Sequence, residues 1–254
     1  MTDPATLRRR FLAEAQTLRN ERRDFHEWHR GRPHYLLWAI DVDLPAVRAR
    51  VVAAQRALDG LLLDGYRRQP HITLALCGFP AQGAEPAADE FDHAWLQARV
   101  EALAAARIKP FTLTIGGLES FSSAPFLHVD GALGALAALR ACLHANTPHP
   151  QGEYVPHVTV GLYADALPTA TVAARFDGFA PAATLRCTIE RIALMSYAAA
   201  EIGGALSTLA EWDLVTHRLH WHDAASSTAL FARRAQACAS RGAAPAAGHH
   251  PETP

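Results

Sequence analysis

Lysine is nearly absent from this chain: of 24 basic residues, only Lys109 is lysine. That skew follows from a GC-rich genome as readily as from phosphate binding, so alone it assigns no partner. Acid and base nearly balance, at a formal net charge of −1, which excludes binding a polyanion through global charge. Cysteine is scarce. Cys77, Cys142, Cys187 and Cys238 lie far apart with no CxxC pair. This argues against a zinc ribbon or a disulfide scaffold and for a reducing compartment. No stretch approaches the roughly 18 uncharged apolar residues of a membrane span. Charge begins at Asp3 and Arg8, and no apolar signal-peptide core follows. A cytoplasmic protein without a membrane partner is the expectation. Three catalytic motifs are also missing: GxSxG, GxxxxGK[ST], and GxGxxG after a strand. Gly131 to Gly134 lacks the third glycine. Serine-nucleophile, P-loop and dinucleotide chemistry are therefore excluded.

What is present is apolar bulk. Half of the 254 residues are hydrophobic, enough for a real core in one large domain or two small lobes. Residues 4–30 read as a helix, rich in Arg, Glu and Ala and ended by Gly31 and Pro33. Its Arg8, Arg9, Arg10, Arg19, Arg22 and Arg23 make either a solvated face or an RNA-binding arm, and the solvated face is the simpler reading. Tyr35 to Val42 reads as a strand, and Leu44-Pro45 opens a helix to about Leu63. A strand ending at Gly78, a loop over 80–88 and a helix over 89–107 follow. Phe111 to Ile115 alternates as a strand, which Gly116-Gly117 breaks before Phe126 to Val129 resumes. The second half echoes this order. It has a helix from Gly131 to Ala145, a loop over 147–152, a strand, a helix over 169–177, a long strand region from Thr184 to Tyr197, and a last strand from Thr208 to Val215. Residues 223–254 read as one short helix and a disordered Ala/Pro/His tail. Three parts result: an N-terminal helical extension over 1–33, a main domain over 34–221 and a C-terminal extension over 222–254.

One phrase occurs twice. Gln-Pro-His-Ile-Thr-Leu-Ala-Leu spans residues 69–76 and Val-Pro-His-Val-Thr-Val-Gly-Leu spans 155–162. The histidines are 86 residues apart (157 − 71), too far for a solenoid repeat. The spacing fits a duplicated lobe and a pseudo-two-fold. In a strand, side chains alternate faces, so His71 shares a face with Thr73, and His157 with Thr159, about 6–7 Å apart in each pair. Ile72 and Leu74, like Val158 and Val160, point the other way, toward helices.

Imidazole exchanges protons near neutral pH, and a nearby hydroxyl donates to an anionic oxygen. Lobes that face each other would hold two of each in one cleft. One histidine then takes a proton from the attacking oxygen and the other protonates the leaving oxygen. The hydroxyls hold the non-bridging oxygens. This layout suits in-line displacement at a phosphodiester without a metal or other cofactor.

These two HxT phrases resemble those of the 2H phosphoesterase superfamily, the fold of the bacterial 2′-5′ RNA ligase and RNA 2′,3′-cyclic phosphodiesterase family. Leu37 to Pro45 resembles that family's opening strand and helix start, and His71 to Gly78 its first motif. Leu118-Glu119-Ser120-Phe121 before Phe126 to Val129 resembles its mid-chain turn and strand. The likeness runs over roughly residues 35–215. It implies an α+β, bilobal 2H phosphoesterase-like fold, with two pseudo-symmetric sheet-and-helix lobes around a central cleft. It implies His71 and His157 as the catalytic pair and Thr73 and Thr159 as phosphate ligands. An RNA end or a cyclic nucleotide would be the substrate, and no obligate protein partner is evident. The alternative is a non-catalytic RNA- or nucleotide-binding module of the same fold. Ligase-like members carry an arginine three residues after the second threonine. Here that residue is Leu162.

Other residues have two readings. Phe121 stacks on a base or belongs to the core. Arg67 and Arg68 reach phosphate or are solvated. His128 has a role near the cleft or is structural, and the structural reading is the simpler. His217, His220 and His222, with Asp223, only loosely resemble a metal cluster, and no metal site is expected.

Overall fold

The structure is a computed structural model that describes residues 3–81, 83, 86–144, 153–179 and 183–223. The short helix and tail expected over 223–254 lie outside the described residues beyond Asp223, as do part of the loop at 80–88 and all of the loop at 147–152. In chain order the elements are α1 (Pro4–Ala13), α2 (His26–His29), β1 (His34–Asp41), α3 (Pro45–Ala57), β2 (His71–Pro80) and β3 (Glu90–Phe91). Then come α4 (His93–Ala106), β4 (Phe111–Ser120), β5 (Pro125–Asp130), α5 (Leu133–Leu143), β6 (His157–Thr159) and α6 (Thr169–Asp177). The chain continues with β7 (Leu185–Ile189), β8 (Arg191–Ala198), β9 (Ser207–Asp213) and β10 (Arg218–Trp221).

Two sheets make the two lobes. The first has six strands in the order β10-β9-β8-β1-β2-β3, and the second has four in the order β6-β5-β4-β7. The lobes are not consecutive halves of the chain, as the echoed element order suggested. β1–β3 and β8–β10, on either side of the middle of the chain, build the first sheet, and β4–β7 between them build the second. The switch falls at Glu190. The extended region 184–197 splits there into β7, which pairs with β4, and β8, which pairs with β1. A continuous extended run gives one local signal whichever sheet each part joins.

β1 is buried on both faces, as its unbroken apolar run requires. Leu36, Trp38 and Ile40 enter the main core, while Leu37 and Ala39 join Ala193, Met195 and Leu206 in a second cluster. The main core takes Ile72 and Leu74 from one sheet and Leu127 and Val158 from the other. Each lobe therefore lends the other its apolar backing.

Three sequence expectations change. The helix foreseen over 4–30 stops at Ala13. Residues 16–20 pair instead with the second lobe: the Thr17 amide donates to the Leu167 carbonyl (2.9 Å) and the Asn20 amide to the Tyr163 carbonyl (3.0 Å). These bonds replace the intrahelical ones that local propensity favours. The helix opened by Pro45 ends at Ala57 rather than Leu63, with Gly60 at a φ of 78° in the turn beyond it. Gly116-Gly117 does not break its strand. β4 runs through the pair, and the register with β5 shifts between Ile115 and Leu118, so the glycines make a bulge.

The N-terminal segment straps the second lobe. Phe11 is buried in the main core beside Phe176 (ring centroids 5.8 Å apart). Arg8 bonds Glu119 and Asp177, and Arg10 bonds Glu153. These arginines are spent on carboxylates.

Candidate active site

β2 follows its neighbour β1 on one side and meets β3 only at its far end, through Phe79 and Pro80. β6 is the edge strand of the second sheet. The two motif strands lie against each other, and the Tyr154 phenol joins them by donating to the Thr73 carbonyl (2.8 Å). The two copies also make equivalent ladder bonds. The Val42 amide donates to the Pro70 carbonyl at 3.1 Å, and the Val129 amide to the Pro156 carbonyl at 3.3 Å.

The proline before each histidine has a local effect. A residue preceding proline is held extended, which fixes the carbonyls of Gln69 and Val155. His71 Nδ1 lies 2.7 Å from the Gln69 oxygen, and His157 Nδ1 lies 2.8 Å from the Val155 oxygen. A carbonyl oxygen only accepts, so both Nδ1 atoms carry the proton. Nε2 is then the basic nitrogen of each neutral ring.

Both rings line one cavity of about 480 Å³, together with Thr73 and Thr159. Strand alternation thus puts each threonine at the cleft with its histidine, as the sequence implies. Phe121 lines the cleft too. Its ring packs on Phe126 (4.3 Å between centroids) and stands edge-on to His157 (5.0 Å, 84°). A second cavity of about 640 Å³ shares Thr73, Phe121 and His157 and extends past Tyr154, Arg140 and Trp95. His128 is the register partner of His157 on β5 and is buried.

Burial dominates the electrostatics. It pushes His71 down to about 4, against the bond that the ring donates to the Gln69 carbonyl, and the charges of Arg68 and His157 push the same way as burial. Burial also lowers His157, against the bond that its ring donates to the Val155 carbonyl. Both rings are neutral at pH 7 in the ligand-free protein. Burial raises Tyr66 to about 12, with a hydrogen bond to Thr159 pulling the other way. That phenol keeps its proton and is available to the threonine.

Sequence reasoning missed several cleft residues. Trp28 comes from α2, Tyr66 from the turn before β2, and Tyr197 from β8. The loop that carries Glu201 and Gly203 forms another wall. It is fastened by Gln69, whose side-chain amide exchanges two 2.8 Å bonds with the backbone of Leu206. Gly203 sits at a φ of 68°, and a Cβ there would fall 2.8 Å from the Tyr66 ring. Only Tyr66 carried a sequence signal, its place just ahead of the first phrase. His217, His220 and His222 lie away from the cleft, around β10. His222 is 3.2 Å from Glu211, and among the described residues no group of three potential ligands is placed to hold a metal.

Residues 43–201, well over half the chain, match the 2′-5′ RNA ligase superfamily. The chain belongs to that superfamily. The matched span contains both HxT phrases. The N-terminal strap and strands β1, β9 and β10 fall outside it. Solved structures are similar at lower levels. TT0787 of Thermus thermophilus shows 19% identity over 71% of this chain and 97% of its own, with a TM-score of 0.45. Escherichia coli LigT complexed with 3′-AMP shows 19% identity over 71% and 98%, with a TM-score of 0.46. LigT complexed with NADP+ shows 18% over 71% and 98%, with a TM-score of 0.43. No curated protein sequence matches the chain significantly.

Proposed function

We propose that this superfamily member is a phosphodiesterase whose acid and base are His71 and His157. Its substrate is a 2′,3′-cyclic phosphate or a 2′-5′ phosphodiester, on an RNA end or a small nucleotide. The supporting observation is that two imidazoles with the same carbonyl-fixed tautomer line one cleft, each accompanied by its threonine.

The chemistry balances without a metal. The Nε2 of one histidine takes a proton from water as the water oxygen bonds to phosphorus. The bond from phosphorus to one ribose oxygen breaks on the opposite side. The second histidine, protonated at Nε2, gives its proton to that oxygen. Thr73 and Thr159 donate to the non-bridging oxygens, where charge accumulates. Solvent then restores both rings. Ligation is the same displacement at a cyclic phosphate with a 5′-hydroxyl in place of water: its oxygen bonds to phosphorus as the bond to one ribose oxygen breaks. Which ring is base depends on how the substrate lies. Phe121 stacks against a base from the shared wall of the two cavities while its edge-on contact steadies His157.

The test is incubation of the full chain with a 2′,3′-cyclic nucleotide and, separately, a 2′-5′-linked dinucleotide, both with EDTA. Turnover of either is expected. Failure on both, with folded protein, would overturn the reading in favour of a binding module. Turnover abolished by EDTA would overturn the metal-free mechanism.

A further inference from the structure

Phosphate carries negative charge into the cleft, yet position 162, on its wall, is leucine. Arg68 lines the same cavity as both histidines and both threonines, and among the described lining residues it is the only arginine or lysine. Its neighbour Arg67 is bonded to Glu201, the acid of that wall, through a side chain that is 63% exposed. Arg68 itself has no carboxylate partner among the described residues. Its Nε reaches the Gly204 carbonyl only at 3.4 Å, the far limit of a hydrogen bond.

The guanidinium is nonetheless held. Its central carbon lies 4.2 Å from the centroid of the Tyr197 ring. Arg68 also hydrogen-bonds the Tyr197 phenol, and a guanidinium carries five N–H donors, so others are left for phosphate oxygens. The charge is felt across the cleft, since it acts on the titration of His71, Tyr66 and Tyr197.

We propose that Arg68, seated on Tyr197, is the cation that holds the substrate phosphate in this cleft. This rests on reading the cleft as a phosphodiester site. It adds a link between binding and proton transfer. In the empty cleft Arg68 opposes protonation of His71; a bound anion offsets that charge and allows one ring to act as acid.

The test is titration of the full-length protein with inorganic phosphate, comparing wild type with Arg68→Ala and Arg68→Gln. Calorimetry should show affinity at least about tenfold weaker in both variants, since a charged partner is lost. In phosphate-free buffer, NMR titration of the ring protons should show the His71 pKa higher in Arg68→Gln than in wild type. If Arg68→Ala fails to fold, Arg68→Gln, nearer in shape, decides alone. Phosphate affinity within twofold of wild type in a folded variant overturns the proposal, as does wild type that binds no phosphate. The two readings fail separately. Phosphate bound through Arg68 without any phosphodiester turnover keeps this proposal and sinks the proposed function. Turnover that needs both histidines, with unchanged phosphate affinity in the variants, does the reverse.

Discussion

A backbone carbonyl two residues upstream fixes which nitrogen of each histidine is basic, and proline fixes the carbonyl. This small device explains why Gln69-Pro70-His71 and Val155-Pro156-His157 share more than the imidazole. Burial then moves both titrations below the ordinary histidine value of roughly 6.5. A mechanism with one acid and one base needs the singly protonated pair. That species is most populated midway between the pair's two pKa values. Since both are depressed, kcat/KM, which reports the free enzyme, is expected to peak below pH 6.5 and to fall toward neutrality. Initial rates on a 2′,3′-cyclic nucleotide between pH 4 and 8 measure this. A maximum above pH 7 would show that the cleft does not depress the pair. Bound phosphate stabilises the protonated ring, so the kcat profile should lie to the alkaline side of the kcat/KM profile.

Among the elements, β2 carries half of the site, and its far end depends on one glycine. Gly78 has a φ of 102°, and a Cβ there would sit 2.3 Å from the Asp89 carbonyl oxygen. That carbonyl accepts from the Phe79 amide at 2.9 Å, which ties β2 to the turn before β3. Gly78→Ala forces both a strained backbone and a clash with main chain, and should cost about 2 kcal/mol or more. A denaturant midpoint measures it. Gly134, in α5, is the control: a Cβ there would meet nothing within 4 Å, and Gly134→Ala should not destabilise. The contrast also marks what local sequence conveys. Alternation in the HxT phrases is a period-two property of a few residues, so the shared face of histidine and threonine was legible. The strap over residues 14–25 was not. Its extended course is set by bonds to Leu167, Ser122 and Tyr163, partners more than a hundred residues away.

At the scale of the whole molecule, the described residues form two sheets that close on one core. Main-core side chains come from β1 and β2 on one side and from β4, β5 and β6 on the other. Two-state unfolding is therefore expected, with far-UV circular dichroism and tryptophan fluorescence changing together. Phe11→Ala, in α1, should lower both midpoints equally at a cost of about 3–5 kcal/mol. Separate transitions would mean the lobes fold independently. This scale also explains the cleft residues that sequence reading missed. Tyr197 reaches the site because β8 joins β1 from the far end of the chain, and Trp28 because the N-terminal segment folds back. Arg68 stood beside the phrase in plain view, but its stacking partner did not. The pairing of the two histidines was legible because their phrases are alike, whereas the walls between them are set by strand order.

The central claim is that His71 and His157 act as one unit at phosphorus. Its most direct test is cyclic-nucleotide turnover, with EDTA, by His71→Ala, His157→Ala and the double variant. Each single change should lower kcat/KM by about 10²–10⁴. The double variant should fall little further, because an acid and a base in one displacement fail together. Wild-type turnover in either folded single variant would contradict the account.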